Sequence, residues 1–165
     1  MTGYDAAAWS DFAVAVAGAA AALSGLLFVA VSINIERIVA YAQLPARAAH
    51  TLIMFVVPLI VSVLLLIPEQ PRGALGAELV AGGVLAGAAL GWLTRPSSRT
   101  AEEPRGSWWV SRLVPTATIA ILLVVAGGTL AAGAGGGLYW TAPVVLVGFI
   151  AGLGNAWVLL VEILR

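Results

Sequence analysis

Five long apolar stretches, with arginines in every second gap between them, dominate this chain. The stretches cover roughly 12–35, 48–67, 74–94, 113–133 and 141–161. Each is close to the ~20 residues that a helix needs to cross the hydrocarbon core of a bilayer. Seven of the eight arginines follow the first, third or fifth stretch, and only Arg72 does not. Because short cytoplasmic loops retain cationic residues, this pattern predicts an all-α, polytopic membrane bundle of five transmembrane helices, with the N-terminus outside and the C-terminus cytoplasmic.

The composition excludes a soluble domain, since 61% of the residues are hydrophobic and 10% are charged, against about 25% charged in soluble proteins. The absence of cysteine excludes disulfides and thiolate chemistry. The first stretch does not resemble a signal peptide, because Asp5 and Asp11 precede it without any cation. We therefore predict a single transmembrane domain over 1–165. Its predicted helices cover about 11–40, 47–67, 74–94, 110–133 and 140–164, with a flexible cytoplasmic loop at 95–109.

Small residues recur at helical spacing on three of the predicted helices, where they allow close approach of a neighbouring backbone. Such stripes favour either packing within one subunit or contact between subunits, in a homo-oligomer or in a larger membrane complex. The predicted helix-packing residues are Ala17, Ala21 and Gly25 on the first helix, Gly83, Gly87 and Gly91 on the third, and Gly148, Gly152 and Ala156 on the fifth.

A few polar residues lie near the cytoplasmic ends of the first and fifth helices. Burying them without partners in hydrocarbon would cost several kcal/mol. We therefore predict a polar clasp that joins these two helices at the inner leaflet, although a site for an ion, a lipid headgroup or a partner peptide is the alternative. The predicted clasp consists of Asn34, Glu36, Arg37, Asn155 and Glu162.

Cations and tryptophans concentrate between the third and fourth helices, as in segments that contact anionic lipid headgroups. We predict that the cytoplasmic leaflet is bound by Arg95, Arg99, Arg105, Trp108, Trp109 and Arg112. His50, the only histidine, lies at the inner end of the second helix and has no second histidine with which to bind a metal. We interpret it as a packing residue, with a pH sensor as the alternative.

No motif in the chain indicates catalysis. It has no zinc-protease, nucleophile-elbow or phosphate-loop motif, and its serines lack an evident base. We predict that the protein is not an enzyme, with no catalytic residues, no cofactor, no metal and no nucleic-acid partner.

Four segments in the first 70 residues carry a resemblance to known sequences, namely 20–34, 36–38, 44–48 and 67–70. They resemble small integral membrane proteins of actinobacteria, some of which are labelled "modulator of FtsH protease". The resemblance implies a multi-pass protein of a bacterial plasma membrane and carries no functional residues with it.

Two classes of function are compatible with these features. The first is a scaffold, accessory subunit or regulator that binds another membrane protein through helix contacts. The second is a homo-oligomeric ion channel or small-solute transporter whose first helix lines the pore with Ser24, Ser32, Asn34 and Glu36. These four residues do not share one helix face, so no continuous polar stripe is expected.

Overall fold

The structure, a computed structural model, describes residues 2–94 and 109–164, apart from the side chains of residues 2, 110 and 162–164. Every regular element in these residues is helical, and five helices are long and apolar enough to cross a membrane. The α-helices are α1 (Ser10–Ile33), α2 (Ile35–Ala40), α3 (Leu44–Leu65), α4 (Arg72–Leu93), α5 (Val114–Ala132) and α6 (Thr141–Leu164). Short 3₁₀ segments cover Thr2–Tyr4, Ala6–Trp9 and Gly137–Trp140, and a π-helical turn covers Trp109–Leu113.

The first predicted helix, 11–40, is interrupted at Asn34, where φ is −107° and ψ is 19°. The Asn34 side chain donates from Nδ2 to the Ala30 carbonyl at 2.9 Å, and Ser32 Oγ donates to the Phe28 carbonyl at 2.8 Å. Side chains that bond to their own helix in this way compete with the backbone ladder. The long apolar helix α1 therefore ends at Ile33, and α2 is a separate short helix.

The long helices form a ring of four with one helix outside it. α3 packs on α4, α4 on α5, α5 on α6 and α6 on α3, while α1 packs mainly on α3. We call the end of the bundle with Arg47 and Arg112 the arginine end, and the end with the turns 66–71 and 133–136 the turn end. One apolar cluster fills the bundle towards the turn end, and a second lies between α1, α3 and α6 towards the arginine end.

α4 and α5 make the most extensive contact, and it is built on glycine. A Cβ on Gly76 would lie 2.8 Å from the Gly127 carbonyl oxygen, and a Cβ on Gly127 would clash with the Gly76 carbonyl. A Cβ on Gly83 or Gly87 would lie 2.9 Å from a Cβ of α5. Gly91 has nothing within 4 Å and takes no part. The third-helix stripe therefore contains Gly76, Gly83 and Gly87 rather than the predicted Gly83, Gly87 and Gly91.

The predicted stripe on the fifth helix faces α3. A Cβ on Gly152 would clash with the Phe55 ring, and one on Gly148 would lie 2.8 Å from the Met54 carbonyl oxygen. Ala156 packs, partly buried, against the apolar cluster that contains Phe55. α3 continues through Pro58, whose missing N–H leaves the Met54 carbonyl without its usual donor. Gly148 allows α6 to cover that carbonyl.

The predicted stripe on the first helix does not face the bundle. Ala21 and Gly25 are exposed, Ala17 is half-buried, and Gly25 has nothing within 4 Å of an added Cβ. The face of α1 that packs inwards carries Ala13, Val16, Ala20 and Leu27. The predicted stripe is therefore not the face with which α1 packs on the ring.

Aromatic side chains gather at the turn end. Tyr4 accepts a hydrogen bond from the Gly136 N–H at 2.9 Å, and the rings of Trp9 and Tyr139 meet edge to face at 5.1 Å. Trp140 donates to the Gly135 carbonyl at 2.8 Å. These contacts connect the N-terminal segment to the turn between α5 and α6.

Candidate functional site

Buried polar side chains collect at the arginine end, where α3, α5 and α6 meet. Five of them are at most 7% exposed although they lie in helices of an apolar bundle. We call this set, together with the half-buried Ser111, the polar cluster. Its members are Arg47, His50, Ser111, Arg112, Thr116 and Asn155.

His50 joins α3 to α5. Its Nε2 lies 3.2 Å from Thr116 Oγ1, within hydrogen-bond distance, and both side chains are buried. Arg47, one turn before His50, and Arg112, one turn before Thr116, lie within electrostatic range of the imidazole. Two buried cations therefore lie near one imidazole. His50 itself is buried between helices with Thr116 as its hydrogen-bonding neighbour, as the interpretation of a packing residue expects.

Asn155 joins α6 to the start of α5. Its Nδ2 donates to the Ser111 carbonyl at 3.2 Å and lies 3.8 Å from Met54 Sδ. The Ser111 carbonyl lies in the π-helical turn before α5, and Pro115, four residues later, has no N–H to offer it. A carbonyl left without a donor at membrane depth would cost several kcal/mol. Asn155 therefore satisfies a backbone group that a proline leaves open.

The predicted clasp between the first and fifth helices is not formed by the described side chains. Asn34 donates to Ala30 on its own helix, whereas Asn155 donates to α5. Glu36 and Arg37 are exposed, on α2. The side chain of Glu162 lies outside the described residues. Asn155 therefore links the fifth helix to the second and fourth spans rather than to the first.

The predicted headgroup residues divide into three groups. Arg95, Arg99, Arg105 and Trp108 lie outside the described residues, as does the loop at 95–108. Trp109 is 57% exposed, as an aromatic residue at a membrane interface would be. Arg112 is buried and belongs to the polar cluster, because the π-helical turn before α5 directs it towards α3.

In the part of the chain that the structure describes, these residues are not joined by a group of side chains typical of catalysis or metal binding. Within residues 2–94 and 109–164, no group of three or more His, Cys, Asp or Glu side chains could hold a metal ion. Ser32 and Asn34, two of the residues expected to line a pore, are bonded to carbonyls of α1 itself. The site offers neutral hydrogen-bonding groups and fixed positive charge.

Sequence reasoning located Asn155 near this end but missed Ser111 and Thr116. The signal available was Pro115, which has no N–H for the carbonyl four residues before it, at Ser111. No comparable signal marks Thr116 as the partner of His50, because the two residues are 66 positions apart and meet across the ring, between helices that are not neighbours in it.

Comparison of the chain with models of known protein families, with curated proteins and with solved structures returned no match.

Proposed function

We propose that this chain is a non-enzymatic, multi-pass protein of a bacterial plasma membrane that acts as a scaffold, accessory subunit or regulator by binding another membrane protein. In this proposal the arginine end is cytoplasmic and the partner lies along the outward face of α1. The observation that carries the proposal is the placement of α1 at the edge of the bundle. Only 17% of the residues in the most apolar 18-residue segment of this span are buried, against 56% in the corresponding segment of α3.

The outward face of α1 has the composition of a helix contact. Gly18 and Gly25 have nothing within 4 Å of an added Cβ, and the exposed Ala21 and Ala22 lie between them. Glycine costs a helix about 1 kcal/mol relative to alanine and gives lipid nothing to pack against. Between helices, the same residues allow close backbone approach and dispersion contacts. A partner helix would use this face. Open glycines also occur on α4, α5 and α6, so the low burial of α1 is what distinguishes this face from theirs.

A channel or transporter has less support from the residues that would line its pathway. Ser32 and Asn34 direct their hydrogen bonds to carbonyls of α1. Towards the turn end, side chains such as Leu75, Leu79 and Leu130 are at most 1% exposed and fill the space between the helices of the ring. A path for water through one subunit would have to cross this apolar layer.

Cysteine cross-linking tests the proposal directly, because the natural chain has no cysteine. Single variants Gly18→Cys and Gly25→Cys would be labelled in native membranes with a photoactivatable maleimide and irradiated. We expect an adduct of one defined mass from both positions, and the mass gives the partner as a second copy or as another protein. Leu85→Cys, on the 69% exposed position of α4, is the matched control and should give no such adduct.

The same preparation separates the two functions. Adducts of equal yield from α1 and from Leu85→Cys would contradict a specific partner on α1. Selective ion or solute flux through liposomes that contain only this protein would contradict the scaffold and support the channel.

A further inference from the structure

A groove between α5 and α6 opens from the polar cluster to the side of the bundle. Its volume is about 390 Å³, which lies within the range of small-molecule sites. The walls are formed by Ser111 and Pro115 on one side and by Ile150, Gly154, Asn155 and Val158 on the other. Because Ile150 is 72% exposed, the groove faces the lipid hydrocarbon and not the interior of the bundle.

Asn155 presents an acceptor with no donor in this groove. Both atoms near Nδ2, the Ser111 carbonyl oxygen and Met54 Sδ, are acceptors, so the amide orientation is fixed with its donor towards them. Oδ1 takes no part in any hydrogen bond within the described part of the chain. The side chain is 3% exposed and lines the groove.

The Ser111 hydroxyl also lacks a partner, but its Oγ is enclosed by protein atoms and is not open to the groove. The Ser111 carbonyl is taken by Asn155 Nδ2. Asn155 Oδ1 is therefore the acceptor that this wall offers a ligand. Ser111 is the first residue of the fourth span, which places the wall near the arginine end of the bundle.

We propose that this groove binds a long-chain lipid whose polar end is a neutral hydroxyl, such as a long-chain alcohol. The hydroxyl would donate to Asn155 Oδ1, while the chain lies against Pro115, Ile150 and Val158. A carboxylate has no proton to donate and would place its charge against the amide oxygen. An ammonium could donate, but it would enter the apolar groove as a charge, which costs more than a neutral hydroxyl.

Photolabelling tests this inference on the full chain in phosphatidylcholine liposomes. The probe is hexadecanol with a diazirine in its chain, and the modified residues are identified by mass spectrometry. We expect labelling of groove residues on α5 and α6, and competition by unlabelled hexadecanol. Uniform labelling of all lipid-facing helices would overturn the site.

Two glycines give a matched pair of variants. Neither Gly154 nor Gly128 has anything within 4 Å of an added Cβ, but only Gly154 lines the groove. Gly154→Leu should fill the groove and reduce specific labelling at least about tenfold, whereas Gly128→Leu should leave it unchanged. Unchanged labelling in Gly154→Leu would overturn the proposal.

Two further probes test the chemistry of the polar end. Hexadecyl methyl ether with the same diazirine can accept but not donate, and it should label the groove several times less than the alcohol. Equal labelling by the ether would show that the groove accepts any chain and would overturn recognition of a hydroxyl. Stronger labelling by the corresponding hexadecanoate would overturn the neutral polar end and assign the site to a carboxylate.

Discussion

At the scale of single residues, prolines inside the spans explain why α6 carries the residues that it does. Pro58 leaves the Met54 carbonyl on α3 without its usual donor, and Pro115 offers no N–H to the Ser111 carbonyl in the π-helical turn before α5. Gly148 lies against the first carbonyl and Asn155 donates to the second. Gly148 and Asn155 are seven residues apart and therefore share one face of α6. That face compensates for both prolines.

Replacement of Asn155 by leucine should therefore destabilise the protein. Asn155→Leu leaves the Ser111 carbonyl buried without a donor, and we expect a loss of about 1–2 kcal/mol in the free energy of unfolding. Tryptophan fluorescence during titration with sodium dodecyl sulfate in mixed micelles measures this loss. Ser32→Ala is the control, because the exposed Ser32 Oγ bonds only to a carbonyl of its own helix, and it should change stability by less than about 0.5 kcal/mol. Equal losses in the two variants would contradict the role of Asn155.

At the scale of elements, the sequence predicts the spans much better than their pairing. Each span is marked by its own length and hydropathy, which are local properties. The two pairs joined by short turns, α3 with α4 and α5 with α6, are in contact. The most extensive contact nevertheless joins α4 to α5, across the segment 95–108. It depends on Gly76 and Gly127 meeting, and nothing in the spacing of either glycine indicates the other.

The Gly127 and Gly128 pair tests this contact with substitutions of identical chemistry. Gly127→Ala places a methyl group against the Gly76 carbonyl and Val80, so α4 and α5 must separate, at a cost of about 1–3 kcal/mol. Gly128→Ala meets open space and should stabilise the protein by about 0.5–1 kcal/mol, because alanine favours the helix. Thermal unfolding of both variants in the same detergent measures the difference. A stability change of the same sign in both would contradict the packing of α4 on α5.

The pattern of small residues shows why sequence alone assigns such faces poorly. Spacing of four predicted contacts for Gly83, Gly87 and Gly91 equally, yet only the first two meet α5. On α1 the same spacing selected the face that points away from the ring. A stripe of small residues predicts that another helix can approach closely on that side. Which helix does so depends on how the remaining helices pack.

At the scale of the whole molecule, the two ends of the bundle differ in chemistry. The turn end is closed by aromatic contacts between the N-terminal segment and the loop before α6. The arginine end buries cations, an imidazole and two polar links between helices. The proposed lipid groove opens from the polar cluster, so both proposals concern lateral surfaces of the bundle: one on α1 and one between α5 and α6.

The orientation of these ends in the membrane gives a last prediction. The alternation of arginines predicts that the turn end faces outwards and the arginine end the cytoplasm. Two exposed alanines report on the two ends: Ala134, in the turn between α5 and α6, and Ala42, between α2 and α3. The chain has no cysteine of its own that would react with the label. In intact cells, a membrane-impermeant maleimide should label Ala134→Cys and not Ala42→Cys, and it should label both once the membrane is permeabilised. Labelling of Ala42→Cys alone in intact cells would reverse the topology and place the polar cluster on the outer side.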